Sequence, residues 1–489
     1  MESERTIALG TLLNGLPDPK ITVNPSETIT AIATNSNEVR PGALFVALRG
    51  QHEDGHRYAR QALAARAAAI VIERGVSVDL PSDAPVVEVA DTRRALSRLA
   101  ATFYGNPSSA LDVVGITGTN GKTTVSRVIA TILNAAAVPC GVIGTIGAQY
   151  GAQQWRLSNT TPLPPELHAL LAQMRDTGAK AVAMEVSSHA LALGRVEDVA
   201  FRIAVLTNVT RDHLDFHETL DAYAAAKRSL FERAPICVLN AADPRGPRWG
   251  LELVREGKEV IHYGNAPASL YVARDITMRP DGSRFAVNGR RYELRLPGRF
   301  NIENALAAIA VCERLGIATD EIAAGLASLE PIAGRMERLS ENGVAAVIDY
   351  AHTPSALEHA LTALRETATA NIAVVFGCGG DRDRGKRAEM GAVAARLADR
   401  IYLTNDNPRT EEPLAIVSEI ARGIGAEPYV VELDRLRAIE RAIREATPGD
   451  VVLIAGKGHE DYQIIGDDVL AFDDAAVARK VLAARGEPQ

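Results

Sequence analysis

From Leu111 onward, short apolar runs alternate with longer stretches of helical periodicity. The runs are Leu111–Thr117, Ala181–Val186, Ile203–Val209 and Ile236–Asn240, then Ala345–Asp349, Ile372–Gly377, Ile401–Thr404 and Val451–Gly456. A strand that is apolar on both faces is buried on both faces. Such strands between helices predict parallel sheets covered by helices on each side. The later runs lead into Gly, Asp or Asn, and ligands of open α/β sheets bind at those carboxyl ends. Ahead of Leu111, Ala69–Glu73 and Val86–Ala90 read as strands, and the stretch from Gly55 to Arg66 reads as helix. Two tight-turn signals, Asp281-Gly282 and Asn288-Gly289, predict hairpins late in the middle of the chain. The fold class expected throughout is α/β.

Two breaks interrupt this pattern. Asn106-Pro107-Ser108-Ser109 is rich in turn residues, and Leu329 to Arg335 contains Pro331 and Gly334. They suggest domains at 1–109, 110–334 and 335–489. The length agrees, because 489 residues exceed what one core supports and single cores stop growing near ~250–300 residues. The expected architecture is a central phosphate-loop domain on a parallel sheet, flanked by an N-terminal α/β domain and a C-terminal Rossmann-like domain.

Composition changes this picture little. With 47% hydrophobic and 23% charged residues the chain is a folded globular protein. A net charge of −8 argues against a non-specific nucleic-acid binder, whose domain is usually basic. Cys140, Cys237, Cys312 and Cys378 have no paired spacing, so reduced core thiols are expected. The opening Met1-Glu2-Ser3-Glu4-Arg5 lacks the basic and apolar regions of a signal peptide, and no apolar run is long enough to span a membrane. A cytoplasmic protein, expected to be a monomer, follows.

The strongest chemistry lies in Gly115-Ile116-Thr117-Gly118-Thr119-Asn120-Gly121-Lys122-Thr123-Thr124, between a strand and a helix expected to open at Val125. Backbone N–H groups at such a helix start point at an anion, a lysine reaches terminal phosphates, and a hydroxyl coordinates Mg²⁺. The standard spacing would place its first Gly at Ile116, so this loop is a variant. Glu185 ends one strand, and His213 follows another within Asp212-His213-Leu214-Asp215. A carboxylate with a Thr hydroxyl suits Mg²⁺. On spacing alone, Lys227 reads as a solvated helix lysine.

These motifs, together with Glu185-Val186-Ser187-Ser188-His189, Tyr223 to Phe231, Leu296-Pro297-Gly298-Arg299-Phe300-Asn301, Gly334-Arg335-Met336-Glu337 and Asp349-Tyr350-Ala351-His352-Thr353-Pro354, resemble the Mur ligase family in order and spacing. That family comprises ATP-dependent amide-forming enzymes of peptidoglycan precursor synthesis. The resemblance implies ATP as substrate and Mg²⁺ as cofactor. It places Gly118, Thr119, Asn120, Gly121, Lys122, Thr123, Thr124, Asn304, Arg335 and Asp349 at the nucleotide, and Thr124, Glu185, His213 and Lys227 at the metal. Lys227 matches the family's carbamylated lysine, which reverses its reading from spacing. Lys122, Lys227 and His213 are the catalytic candidates.

The resemblance further places a UDP-muramoyl dipeptide at Ser36, Asn159, Thr160, Thr161, Ser187 and Arg195. Leu193 stands where some relatives have glutamine, and Gln51-His52-Glu53 replaces their His-Gln-Ala. Gly377-Cys378-Gly379-Gly380-Asp381-Arg382, Asp406-Asn407-Pro408-Arg409 and Gly456-Lys457-Gly458-His459-Glu460 resemble the branch that adds meso-2,6-diaminopimelate. Arg382, Asp406, Asn407, Pro408, Arg409, Gly456 and Glu460 are its expected contacts. Two guanidiniums and two carboxylates suit an amino acid with a zwitterionic far end. A lysine-adding or folylpolyglutamate-type ligase is the nearest rival. An NTPase switch and a nucleotide-binding scaffold are more distant ones.

Overall fold

A computed structural model describes residues 5–50, 53–267 and 269–485. Gln51 and His52, and the first four residues, therefore lie outside the described residues. The chain forms two compact units. One holds residues 1–115, 139–203 and 232–234, and the other 116–138, 204–231 and 235–489.

In the first unit, a five-stranded sheet has the order Lys20–Ile21, Val86–Val89, Ala69–Glu73, Ala43–Val46, Ala31–Ala33. Alternation along its strands feeds two cores. Leu44, Val46, Val71 and Val87 meet Leu96, Leu99 and Phe103 of the helix Thr92–Phe103 on one face. Phe45, Ile70 and Ile72 meet Ala59 and Ala62 on the other. The stretch from Gly55 to Arg66, expected as helix, is a 3₁₀ turn at Gly55–Tyr58 running into a short α-helix at Ala59–Ala64. The first unit also holds the strand run Gln153–Trp155, Gly147–Tyr150, Cys140–Gly144, Ala181–Glu185.

The segment expected as a linker is packed. Asn106 takes a left-handed conformation, Pro107–Ala110 forms a 3₁₀ turn, and Pro107 and Ser108 are buried. Ser108 Oγ accepts a hydrogen bond from Ala200 N at 3.0 Å. Turn residues mark a change of direction here, and the change is tied down by side-chain hydrogen bonds.

The second unit contains the run Asp112–Thr117 (from Ile116), Phe201–Leu206 (from Ala204), Ile236–Asn240 and Glu259–Tyr263. It also contains a six-stranded sheet ordered Glu337–Glu341, Val344–Asp349, Val451–Ala455, Ile372–Phe376, Arg400–Leu403, Val430–Val431. Residues of one parity (Ala345, Val347, Leu453, Val374) join helices Pro354–Arg365, Gly385–Leu397 and Pro413–Ile424 in one core. The opposite parity (Ala346, Ile348, Val452, Val375) joins Arg435–Glu445 and Asp474–Ala484 in another. Burial on both faces is what the continuous apolar runs predicted.

The sheets depart from pure parallel pairing at their edges. Lys20–Ile21, Gly147–Tyr150 with Gln153–Trp155, and Glu337–Glu341 all pair antiparallel. Lys20–Ile21, Gln153–Trp155 and Glu337–Glu341 are largely exposed edge strands, and Gly147–Tyr150 next to an edge is short and partly polar, so the apolar-run criterion could not see them. The two Asx-Gly signals do form turns, joining Arg274–Arg279, Gly282–Val287 and Arg290–Leu294. All four cysteines are buried and free. No described helix is long and apolar enough to cross a membrane.

Candidate functional site

The strand Asp112–Thr117 ends in the loop Gly118–Gly121. The helix then begins at Lys122, three residues before the expected Val125, because Gly121 at φ +88° turns the chain into it. The loop is pinned from below. Thr119 N donates to Asn208 O at 2.8 Å and Asn120 N to Asn208 Oδ1 at 3.0 Å. Thr207 Oγ1 donates to Asn120 O at 2.6 Å, and the Thr119 hydroxyl meets Thr210 O and the Tyr223 hydroxyl, each at 3.1 Å. Asn304 closes over Gly121, where a Cβ would collide with its Oδ1. Asn120 Nδ2 and Thr210 Oγ1 are buried at this loop with no hydrogen-bond partner among the described residues. A polar ligand would satisfy them.

Gly118 cannot be another residue. Its φ is +150°, and a Cβ would strike Thr207 Oγ1 while lying 3.0 Å from the backbone N and O of Asn208. Gly118→Ala is expected to cost about 2–3 kcal/mol of stability through strain and displaced loop hydrogen bonds. Turnover should fall with it. Urea unfolding alongside steady-state kinetics checks both.

Two lysines converge on the same carbonyl. Lys122 Nζ donates to Gly118 O at 3.0 Å and Thr119 O at 2.9 Å, and Lys227 Nζ donates to Gly118 O at 2.8 Å. Lys227 is buried, contrary to its reading from spacing, and its ammonium lies 4.3 Å from the Tyr223 ring centroid. Burial first, then the Lys122 charge, hold its amine well below the usual lysine range. His213 has a left-handed backbone, and its Nε2 lies 3.3 Å from Asp212 Oδ2. Burial pushes Asp212 up, but hydrogen bonding from His352 and the charges of His213, His352 and Lys386 outweigh it and keep the carboxyl ionised. Thr124 is buried in the helix's first turn.

Arg335 reaches the same loop, with Nη2 donating to Thr123 Oγ1 at 2.9 Å and its guanidinium 4.6 Å from the Tyr350 ring centroid. Asp349 ends its strand and accepts from Met336 N at 2.8 Å, while burial raises its carboxyl pKa. Lys122, Thr123, Lys227, Asn304 and Arg335 thus surround one loop.

The first unit carries Glu185 and the dipeptide candidates. Glu185 is buried beside Gly144, and its two oxygens accept from Thr145 N and Thr145 Oγ1, both at 2.9 Å. Thr161 Oγ1 donates to Glu185 O at 2.9 Å and accepts from Ser187 N at 3.0 Å. Arg195 Nη1 donates to Thr161 O at 2.8 Å. Thr160 and Thr145 hydroxyls lie 3.1 Å apart, Asn159 is exposed, and Ser36 Oγ donates to Gln61 Oε1 at 3.1 Å. Thr161, Ser187, Arg195 and Glu185 therefore form one network. No direct bond links Ser36 or Asn159 to it. Thr145 gave no signal in the sequence.

At the six-stranded sheet, three neighbouring strand ends meet, after Val451–Ala455, Ile372–Phe376 and Arg400–Leu403. Glu460 Oε2 accepts from Asn407 Nδ2 at 3.0 Å and Lys457 Nζ at 3.1 Å. Arg409, at φ +52°, donates from Nη1 to Gly380 O at 2.8 Å, and Arg382 donates to Asp381 O at 2.9 Å. Burial, and after it the Arg382 charge, lower the Arg409 pKa. Two like-charged guanidiniums within electrostatic range of each other favour an anion. Asp406 lies against Gly456, and Gly380 lies against Pro408 O, where a Cβ would collide.

No group of three or more His, Cys, Asp or Glu able to hold a metal occurs among the described residues. Mg²⁺ binds through few protein oxygens and keeps several waters. The Thr124 hydroxyl at this loop is a donor of that kind.

The fold and this loop define a phosphate-loop enzyme of the α/β class. Comparison with known proteins narrows the class. The family described as Mur ligase middle domain matches residues 116–312, the Mur ligase glutamate ligase domain matches 334–458, and the Mur ligase family catalytic domain matches 28–104. The UDP-N-acetylmuramoyl-L-alanyl-D-glutamate–2,6-diaminopimelate ligase of Geobacillus kaustophilus is 44% identical, across 97% of this chain and 99% of its own. Its counterpart from Xanthomonas campestris is 43% identical across 98% of each. A solved ligase of that description superposes with a TM-score of 0.69 at 31% identity, covering 99% of this chain and 100% of its own. The MurF ligase of Thermotoga maritima in complex with ADP shares the fold, with a TM-score of 0.66 at 22% identity over 93% and 98%. The chain belongs to the Mur ligase family.

Proposed function

We propose that this chain is a cytoplasmic, monomeric ligase that joins 2,6-diaminopimelate to UDP-N-acetylmuramoyl-L-alanyl-D-glutamate at the expense of ATP, in peptidoglycan precursor synthesis. The observation that carries the amino-acid assignment is the cluster of Arg382, Arg409, Asp406 and Glu460 at the strand ends of the six-stranded sheet. Diaminopimelate ends in a carboxylate and an ammonium, and lysine in the ammonium alone. The relatives named for this reaction cover 97% and 98% of the chain.

The reaction proceeds in three stages, the attacking amine giving up a proton to solvent as the amide forms. The substrate carboxylate takes the γ-phosphoryl group, giving an acyl phosphate and ADP. The amine of the incoming amino acid then attacks the acyl carbon, and the tetrahedral intermediate expels phosphate as the amide forms. Phosphoryl transfer is governed by positioning and charge neutralisation. Lys122 holds the phosphate end of the nucleotide, and Asn304, Arg335 and Asp349 its remainder. Thr161, Ser187 and Arg195 fix the dipeptide, Asn159 and Thr160 assist, and Ser36 takes the uridine end.

When bound, Mg²⁺ supplies charge neutralisation at the phosphates. Thr124, Glu185 and His213 would hold it, with Lys227 as its carbamate. A buried amine held in its neutral form can add CO₂ and release a proton, which turns a repelling ammonium into an anionic oxygen ligand. Domains at 1–109, 110–334 and 335–489 serve the uridine end, ATP and the amino acid respectively.

The test is phosphate release from ATP and Mg²⁺ with the UDP-muramoyl dipeptide and either diaminopimelate or lysine. Release that requires diaminopimelate supports the assignment. A preference for lysine reassigns the amino acid, and release indifferent to any amino acid replaces the ligase with an NTPase.

A further inference from the structure

Lys457 is fully buried and has no place in the reaction described above. Its ammonium donates to Asn407 Oδ1 and to Glu460 Oε2, both at 3.1 Å, and lies 5.3 Å from the Tyr462 ring centroid. Asn407 Oδ1 also accepts from Ile464 N at 2.9 Å. The amide orientation is therefore fixed, and Asn407 Nδ2 must face Glu460. Burying an ammonium costs several kcal/mol unless it is paired. A neutral residue of this shape would satisfy packing alone, so the charge calls for a separate account.

The charges around the strand ends supply one. Arg409 interacts with Arg382, Asp406 and Glu460, Lys457 pairs with Glu460, and the buried Arg435, which also faces Asp406 and Glu460, is paired with Asp474. With the Arg435–Asp474 pair cancelling, Arg382, Arg409 and Lys457 exceed Asp406 and Glu460 by one, and Lys457 supplies that excess. An amino acid whose far end is a neutral zwitterion enters such a site without net repulsion. One whose far end is a bare ammonium does not.

Resting on the assignment of this cluster to the amino acid, we propose that Lys457 is a specificity-determining residue that selects a far-end zwitterion over a far-end cation by setting the sign of the site. It acts through Glu460, whose carboxylate it half-neutralises and orients, without touching the substrate. Arg409 supplies attraction for the extra carboxylate, and Lys457 supplies the repulsion that rejects its absence. Discrimination commonly needs both elements.

The test is the ratio of kcat/KM for diaminopimelate to that for lysine, measured on the full chain with saturating ATP and dipeptide. Lys457→Met keeps the length of the side chain and removes the charge. The ratio is expected to fall by roughly tenfold, the effect of one unit charge at this range in a partly screened site. Glu460→Gln should raise the ratio, and the double variant Lys457→Met with Glu460→Gln should return it close to that of the parent. A packing role for Lys457 predicts that both amino acids lose equally in Lys457→Met, with the ratio unchanged, and that result overturns the inference. Should Lys457→Met fail to fold, Lys457→Gln, which removes the same charge and keeps a hydrogen-bond donor, takes its place, and an unchanged ratio there overturns the inference. If the parent protein shows no diaminopimelate-dependent phosphate release, the assignment of the reaction fails instead.

Discussion

Lys122→Ala is expected to lower kcat by about three orders of magnitude while leaving the protein folded. Removing one preorganised donor from developing negative charge costs about 3–4 kcal/mol in comparable sites. The loop itself should survive. Its backbone is held by Asn208, Thr207 and Gly121 rather than by Lys122 alone. Lys122 donates to two carbonyls of its own loop, Gly118 O and Thr119 O. A phosphate would therefore draw the ammonium from a weaker partner to a stronger one. Lys122→Arg should recover little, because a planar fork differs from a compact ammonium. Single-turnover phosphate release and thermal melting check the two halves of the expectation. A loss of activity matched by a large fall in Tm would assign Lys122 to structure.

The phosphate loop was legible in the sequence because its signal is local. Gly118, Gly121 and Lys122 lie within a few residues, between an apolar strand and a helix. Lys227 was not legible by the same means. Its helix is Ala-rich, with nothing to show which face is buried, and spacing alone placed the side chain in solvent. Only the contact with Gly118, more than a hundred residues away in sequence, reveals the buried amine.

Partners of partners escaped in the same way. Thr145 holds both oxygens of Glu185, and Lys457 holds both Asn407 and Glu460. Thr145 stands in no motif. Lys457 stands inside one, where the neighbouring Gly456 and Glu460 drew the functional reading. Asp212 was also part of a quoted motif, yet its position between His213 and His352 needed the fold. Central strands such as Ala181–Glu185, Ile236–Asn240 and Val451–Ala455 were found to within a few residues because burial on both faces writes a continuous apolar run, whereas the short or glycine-interrupted Ala43–Val46 and Cys140–Gly144, equally buried, were not. The antiparallel edge strands carry no such run, and their pairing is set by the neighbour they happen to meet.

Arg409→Ala is expected to reduce kcat/KM for diaminopimelate by about a hundredfold or more, mostly through KM, and to affect lysine far less. Truncating one partner of a buried, hydrogen-bonded charge pair costs about 2–5 kcal/mol. The backbone should hold the turn without the side chain. Arg409 N donates to Ile464 O at 3.2 Å, and Gly466 N donates to Arg409 O at 2.8 Å. The hairpin Tyr462–Ile465 with Asp468–Ala471 thus clamps residue 409 from both sides. Its left-handed φ of +52° is imposed by that clamp and aims the guanidinium beside Gly380 O. Alanine tolerates this conformation poorly, so a modest loss of stability should accompany the variant. Arg409→Asn separates the two effects, since asparagine accepts a positive φ more readily and still lacks the charge. If Asn restores stability while leaving diaminopimelate use impaired, the guanidinium binds the far carboxylate. If Asn restores both, Arg409 serves only to shape the turn.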